Sequence, residues 1–122
     1  MIQVHAAQGK CLDVEGGSRA NGAAVQLWTC NGSSAQNWQP IFGGSHYGLR
    51  NSSGPSIDLL AKYLDVAGGK TEDRTKIQVY TCNSTPAQQW DFNLRAASPL
   101  KNVGAGKCLD LNTFDKGKDS WL

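Results

Sequence analysis

The sequence predicts an all-β domain closed by threefold internal repetition, and three observations carry that prediction. First, a long phrase occurs twice. Gln26-Leu27-Trp28-Thr29-Cys30-Asn31 leads to Ala35-Gln36-Asn37-Trp38, and Gln78-Val79-Tyr80-Thr81-Cys82-Asn83 leads to Ala87-Gln88-Gln89-Trp90. Each copy follows a Lys-x-Leu-Asp-Val start, Lys10 to Val14 or Lys62 to Val66, and a third start stands at Lys107-Cys108-Leu109-Asp110-Leu111. Second, short runs alternate apolar and polar residues with period two, between turns rich in Gly, Asn, Ser and Pro. Third, no window carries the stripe of an amphipathic helix. One such repeat cannot bury its apolar face alone, so three close around a shared core.

The elements follow in chain order. Ile2-Gln3-Val4 reads as a first short strand, Val25-Gln26-Leu27-Trp28 as the strand carrying the first aromatic, and Leu49-Arg50-Asn51 as a connecting strand. Ile77-Gln78-Val79-Tyr80 repeats the second of these, Trp90-Asp91-Phe92 follows it, and Leu100-Lys101-Asn102 matches the connecting strand. Asp13 precedes Trp28 by fifteen residues, as Asp65 precedes Tyr80. The first and second starts lie 52 positions apart, the second and third 45. The excess falls at Pro55-Ser56-Ile57-Asp58-Leu59-Leu60-Ala61, an insertion able to form at most one helical turn. Ser56-Ile57-Asp58-Leu59 offers a competing alignment with Asp58 as the second repeat's aspartate. Asp65 is preferred because it keeps the spacing and the Gly68-Gly69 that mirrors Gly16-Gly17.

With 122 residues the chain reads as one domain, residues 1–122, with repeat one at about 1–43, repeat two at about 44–94 and a partial repeat three at about 95–122. A net charge of +2 and a charged fraction of 18% give no clustered basic face, which argues against nucleic acid. No apolar run approaches the roughly 20 residues of a membrane span. The start, Met1-Ile2-Gln3-Val4-His5, lacks the charged and apolar regions of a signal peptide.

These residues resemble the ricin B-type lectins and related carbohydrate-binding modules, whose repeat is Cys-Leu-Asp-Val, a Gln-Leu-Trp or Gln-Val-Tyr strand, Cys, then Gln-x-Trp. The match runs from Lys10 to Asp110 and recurs in register. The resemblance implies a β-trefoil with one potential sugar pocket per unit, the third repeat incomplete. It implies non-catalytic carbohydrate binding, to galactose- or xylose-type glycans, by a free lectin or the accessory module of a glycoside hydrolase. It implies no metal and no cofactor, glycan or polysaccharide partners, and a secreted or extracellular setting.

A sugar offers hydroxyl groups around a ring with apolar C–H patches, so a shallow site needs an acceptor carboxylate, amides and an aromatic face. Asp13, Gln26, Trp28 and Asn31 supply these in the first unit; Asp65, Gln78, Tyr80 and Asn83 do so in the second. Gln36 and Gln88 join the candidate set, and each can also satisfy loop backbone that no strand ladder serves. Trp38 and Trp90 read as core, with Leu12, Leu64 and Leu109 beside them. In the family pattern an Asn that contacts sugar often precedes Gln-x-Trp. Here Ala35 and Ala87 take its place, removing a polar contact of about 1 kcal/mol.

The resemblance also implies a disulfide between Cys11 and Cys30, worth roughly 3 kcal/mol in the chain-entropy account. Tyr63 replaces the corresponding cysteine of the second unit, so Cys82 and Cys108 are expected as free thiols. That weighs against, without refuting, a secreted protein. In the third unit Asp110 stands alone, Trp121 aligns by spacing with Ala24 and Lys76, and no working third pocket is expected. Its unpaired edges would invite pairing with a second copy of the chain. A fragment, a strand supplied by a partner and a shortened gene product are three readings of that end.

Simpler readings stand beside these. Asp13 and Asp65 could serve turn backbone alone, since aspartate commonly accepts such bonds. His5 and His46 lack partners at metal-ligand spacing. Asn31, Asn51 and Asn83 each begin a glycosylation sequon. Two other function classes compete: a glycosidase, which needs two carboxylates across a bond and has Asp58, Asp65 and Asp110 available, and a trefoil scaffold that binds protein.

Overall fold

The computed structural model describes residues 2, 9–51, 62–94, 98–111 and 120–121, the last strand pair through its backbone only. Eleven strands are present among them: β1 (Lys10–Val14), β2 (Val25–Thr29), β3 (Trp38–Phe42), β4 (Tyr47–Asn51), β5 (Lys62–Val66), β6 (Ile77–Thr81), β7 (Trp90–Asp91), β8 (Lys101–Asn102), β9 (Lys107–Cys108), β10 (Asp110–Leu111) and β11 (Ser120–Trp121). Four single 3₁₀ turns, Glu15–Gly17, Ser34–Gln36, Ala67–Gly69 and Pro86–Gln88, are the helical elements of the described chain. None is long or apolar enough to cross a membrane.

The repeats become equivalent antiparallel hairpins. β1 pairs with β2 so that Asp13 faces Gln26 and Cys11 faces Trp28. β5 pairs with β6 in the same register, Asp65 facing Gln78 and Tyr63 facing Tyr80. A one-residue slip would turn every core side chain outward, so the shared register reflects the shared apolar pattern. The equivalence places Asp65 at the register position that Asp13 holds in the first hairpin. Asp58 and the rest of the insertion lie outside the described residues, as do Gln3, Val4 and His5.

The hairpins join into a larger assembly. β6, β5, β4, β7, β8 and β9 form a continuous path, with β3 paired to β4. The first hairpin attaches through its turn: Gly22 N–H donates to Val79 O at 2.8 Å, and Val79 N–H donates to Ala23 O at 3.0 Å. Asn21 Oδ1 accepts from the Thr81 amide and hydroxyl at 2.9 and 3.0 Å. Inside lie Leu12, Val14, Val25, Leu49, Leu64, Val66, Ile77 and Val79 with Trp38 and Trp90, all buried, while Leu109 packs against them half-buried. Both tryptophans are core, as expected. Each indole N–H is satisfied in an equivalent way, Trp38 donating to Leu12 O at 3.0 Å and Trp90 to Leu64 O at 3.1 Å.

Two features were not anticipated. Asn51 and Asn102, ending the matched connecting strands, are buried and point their Nδ2 groups at 3₁₀-turn carbonyls. Asn51 reaches Ser34, Ala35 and Asn37; Asn102 reaches Pro86, Ala87 and Gln89. The sequon at Asn51 is therefore occupied by core chemistry. In the third hairpin β10 pairs with β11 so that Asp110 faces Trp121, the position of Gln26 and Gln78. Linear spacing had aligned Trp121 with Ala24 and Lys76. A connection two residues shorter than in the other hairpins corrects that register.

Candidate functional site

The two complete hairpins each build an open pocket beside a 3₁₀ turn. The first encloses about 530 Å³ between Asp13, Gln26, Trp28, Asn31, Ser33 and the Gly16-Gly17 turn, with Glu15, Ser34 and Ala35 also on its wall. The second encloses about 590 Å³ between Asp65, Gln78, Tyr80, Asn83, Thr85 and the Gly68-Gly69 turn, with Pro86, Ala87 and Gly104 completing it. The paired glycines adopt φ near +60°, at 65° and 62° in the first turn and 64° and 62° in the second. Left-handed backbone at two successive residues demands glycine.

A carboxylate held from two sides lies at the base of each pocket. Asp13 is only 5% exposed. Its Oδ1 accepts from Gln26 Nε2 at 3.1 Å and its Oδ2 from Gln36 Nε2 at 3.0 Å. Asp65, 4% exposed, repeats this with Gln78 Nε2 at 3.0 Å and Gln88 Nε2 at 2.9 Å. Among the described bonds the partners of both aspartates are glutamine side chains and not turn amides. A carboxylate offers about four lone-pair sites, so each stays an oriented acceptor with capacity for a ligand hydroxyl.

Gln36 and Gln88 correct one expectation. Both are buried, and neither lines the pocket beside its own aspartate. Gln36 Nε2 also donates to Thr29 O at 2.8 Å, and its Oε1 accepts the Asn31 amide at 2.8 Å. Gln88 does the same with Thr81 O at 2.9 Å and the Asn83 amide at 3.0 Å. A side chain with both ends engaged inside the protein orients the aspartate and the following loop; Gln88 also borders a separate concavity. The companion expectation, that these glutamines satisfy loop backbone, matches the geometry.

The aromatics lie on the open side. Trp28 is 48% exposed and Tyr80 39%, and each lines its own pocket. Asn31 and Asn83 are exposed, and each uses its Oδ1 to close a local turn, accepting Ser33 N–H at 3.0 Å or Thr85 N–H at 3.1 Å. Their Nδ2 groups remain as donors at the pocket edge. Ala35 and Ala87 stand on the walls as methyl groups. Among the described residues no group of His, Cys, Asp and Glu could hold a metal ion. His46 instead pairs with Asp91 at 2.6 Å.

Cys11 and Cys30 form the implied disulfide across the first hairpin, and Cys82 and Cys108 carry exposed free thiols. Tyr63 stands in the second hairpin where Cys11 stands in the first. Burial raises its phenol pKa above the ordinary range, the Cys82 thiol adds to this, and Arg50 opposes it.

Comparison with known proteins places the chain as follows. The description "Ricin-type beta-trefoil lectin domain" matches residues 1–122. A designed threefold-symmetric protein, ThreeFoil, is 28% identical, with a TM-score of 0.80 over 92% of this chain and 79% of its own. An exo-β-1,3-galactanase from Clostridium thermocellum is 28% identical with a TM-score of 0.78. This chain is 93% covered and spans only 24% of that enzyme. Polyporus squamosus lectin, solved with the glycan Neu5Acα2-6Galβ1-4GlcNAc, shares the fold at 15% identity and a TM-score of 0.67, over 99% of this chain and 46% of the lectin.

Proposed function

Because this chain belongs to the ricin-type β-trefoil lectin domain family, we propose that it is a non-catalytic carbohydrate-binding domain whose two pockets take galactose- or xylose-type sugars. One observation carries the reading. The constellation of buried aspartate, supporting glutamines and exposed aromatic occurs twice in the same register, each time on an open pocket. An oriented carboxylate accepts from sugar hydroxyls, the Asn31 or Asn83 amide donates, and the ring of Trp28 or Tyr80 covers an apolar sugar face. Gln26 and Gln78 brace the carboxylate and present a remaining N–H or carbonyl. Gln36 and Gln88 act one layer behind.

Residues 1–122 are read as one domain, in repeats of about 1–43, 44–94 and 95–122. The likeness to a fraction of a galactanase supports galactose-type ligands and an accessory role within a longer carbohydrate-active protein, and the disulfide is in keeping with an extracellular setting. Self-association through the third repeat belongs to the same proposal.

The test is binding of the folded domain to a glycan array and to immobilised galactan and xylan, followed by NMR titration. We expect saturable binding that shifts resonances around Asp13 and Asp65, with Asp13→Ala abolishing the first set. No binding to neutral galactose- or xylose-containing glycans, with the fold intact, would remove the proposal.

A further inference from the structure

A third concavity, of about 470 Å³, lies on the other side of the loop that bounds the second pocket. Its walls are the β3–β4 hairpin, through His46 and Tyr47, the β5 residue Tyr63, and the loop residues Cys82, Ser84 and Gln89. In the first hairpin the positions of Tyr63 and Cys82 hold the Cys11–Cys30 disulfide. Replacing that cross-link by a ring and a thiol changes a covalent strap into an aromatic wall. The ring lies against Gly48, where a Cβ would come within 2.9 Å of Tyr63 Cε2. Tyr47 packs at a tilt against Phe42 and against Phe92, with centroids 5.1 and 4.9 Å away.

The lining identifies the chemistry of an occupant. Among the described lining residues there is no Lys, Arg, Asp or Glu, and Arg50, whose charge acts on Tyr63, is not part of that lining. His46, beside the opening, is already paired with Asp91. What remains is two half-buried phenol rings with hydroxyl and amide groups around them, which suits a ring with apolar faces and a polar rim. Tyr63 is protonated at neutral pH, as any phenol with a pKa of about 10 is, and so offers a donor. We infer that this cleft is a second kind of saccharide site, taking one uncharged sugar ring against Tyr63 and Tyr47, separate from the Asp13 and Asp65 pockets. The inference rests on the lectin reading above, and the cleft shares with the second pocket Thr85, in both linings, and Gln88, which braces Asp65.

Cys82 provides the test, because its exposed thiol lies in the cleft wall. In a Cys108→Ser protein with the Cys11–Cys30 disulfide intact, alkylation of Cys82 by iodoacetamide is followed by mass spectrometry while galactobiose or xylobiose is titrated. We expect a saturable, several-fold slowing, with shifts of the Gly48 and Gln89 amide resonances. The Trp28 indole resonance in the same samples reports the first pocket independently. An unchanged alkylation rate overturns the cleft site whether or not Trp28 responds, and a Trp28 response alone leaves the lectin reading standing. Protection by p-nitrophenol but by neither disaccharide overturns the assignment to sugar.

Discussion

Tyr63 sets the Cδ2–Cε2 edge of its ring against Gly48: a methyl group built there would sit 2.9 and 3.0 Å from those two carbons. Backbone hydrogen bonds and β5 fix both partners, since Arg50 pairs with Tyr63 two residues on. Gly48→Ala should therefore destabilise the fold by about 1–3 kcal/mol, the usual cost of overpacking. Urea unfolding checks this, and the loss should shrink in the Gly48→Ala, Tyr63→Ala double variant. Equal losses with and without the ring would show that contact with Tyr63 is not the cause.

The same place allows a covalent prediction. The first hairpin bridges Cys11 and Cys30 with Cα atoms 5.1 Å apart and a separation of 19 residues. Tyr63 and Cys82 occupy the same positions in the same register. Tyr63→Cys should oxidise to a second disulfide and stabilise the domain by roughly 3 kcal/mol. The expected readings are a mass loss on oxidation, one fewer reactive thiol and a Tm gain abolished by reductant.

Titration of Tyr63 gives a pH signature. Its folded pKa is raised, chiefly by burial, so above the ordinary phenol value of about 10 the unfolded chain releases its proton first. The unfolded state then binds fewer protons, and stability falls with pH. The contribution is intact below that value and lost through the alkaline range. Tyr63→Phe should flatten the alkaline limb of a stability–pH curve; an unchanged limb would assign the loss elsewhere.

Much of this arrangement is legible in the linear chain because repetition supplies its own alignment. Equal spacing selected Asp65 over Asp58, and the hairpin registers agree. Gln36 was only half legible: residue type announces an amide able to serve backbone, but burial decides that it faces Asp13 and not a ligand. Asn51 carried a sequon and a match to Asn102 on the equivalent strand, but neither reveals a role that depends on a 3₁₀ turn folding back over it. The Gly48 contact with Tyr63 joins residues of different strands, which no local pattern encodes. Trp121 was misaligned because strand pairing, not residue count, sets register when a connection shortens.

Gln36 joins Asp13, Thr29 and Asn31, so its removal leaves a buried carboxylate oxygen and two backbone groups without their partner. At roughly 1–3 kcal/mol for an unsatisfied buried group, Gln36→Ala should destabilise the domain by about 3 kcal/mol. If Asp13 binds sugar as proposed, affinity at the first pocket should fall as well, while the second is unaffected. Residue-resolved NMR titration separates the pockets. Trp28→Ala should show the complementary pattern, with stability within about 0.5 kcal/mol because the ring is exposed, and weakened binding at the first pocket alone.

The two pockets differ most in charge. Glu15 lines the first, whereas Ala67 holds the equivalent position beside the second. Both pockets contain one aspartate, so discrimination against an acidic sugar should be stronger at the first. An exposed pair of like charges several ångströms apart in water costs up to about 1 kcal/mol, roughly fivefold in affinity. Galacturonic acid should therefore bind the first pocket a few-fold more weakly, relative to galactose, than it binds the second. The difference should fade at high salt, vanish in Glu15→Ala and appear at the second pocket in Ala67→Glu. Titration of both pockets in one NMR series reads all four outcomes. Equal treatment of the acid by the two pockets of the unmodified chain would show that Glu15 points its charge away from the bound ring.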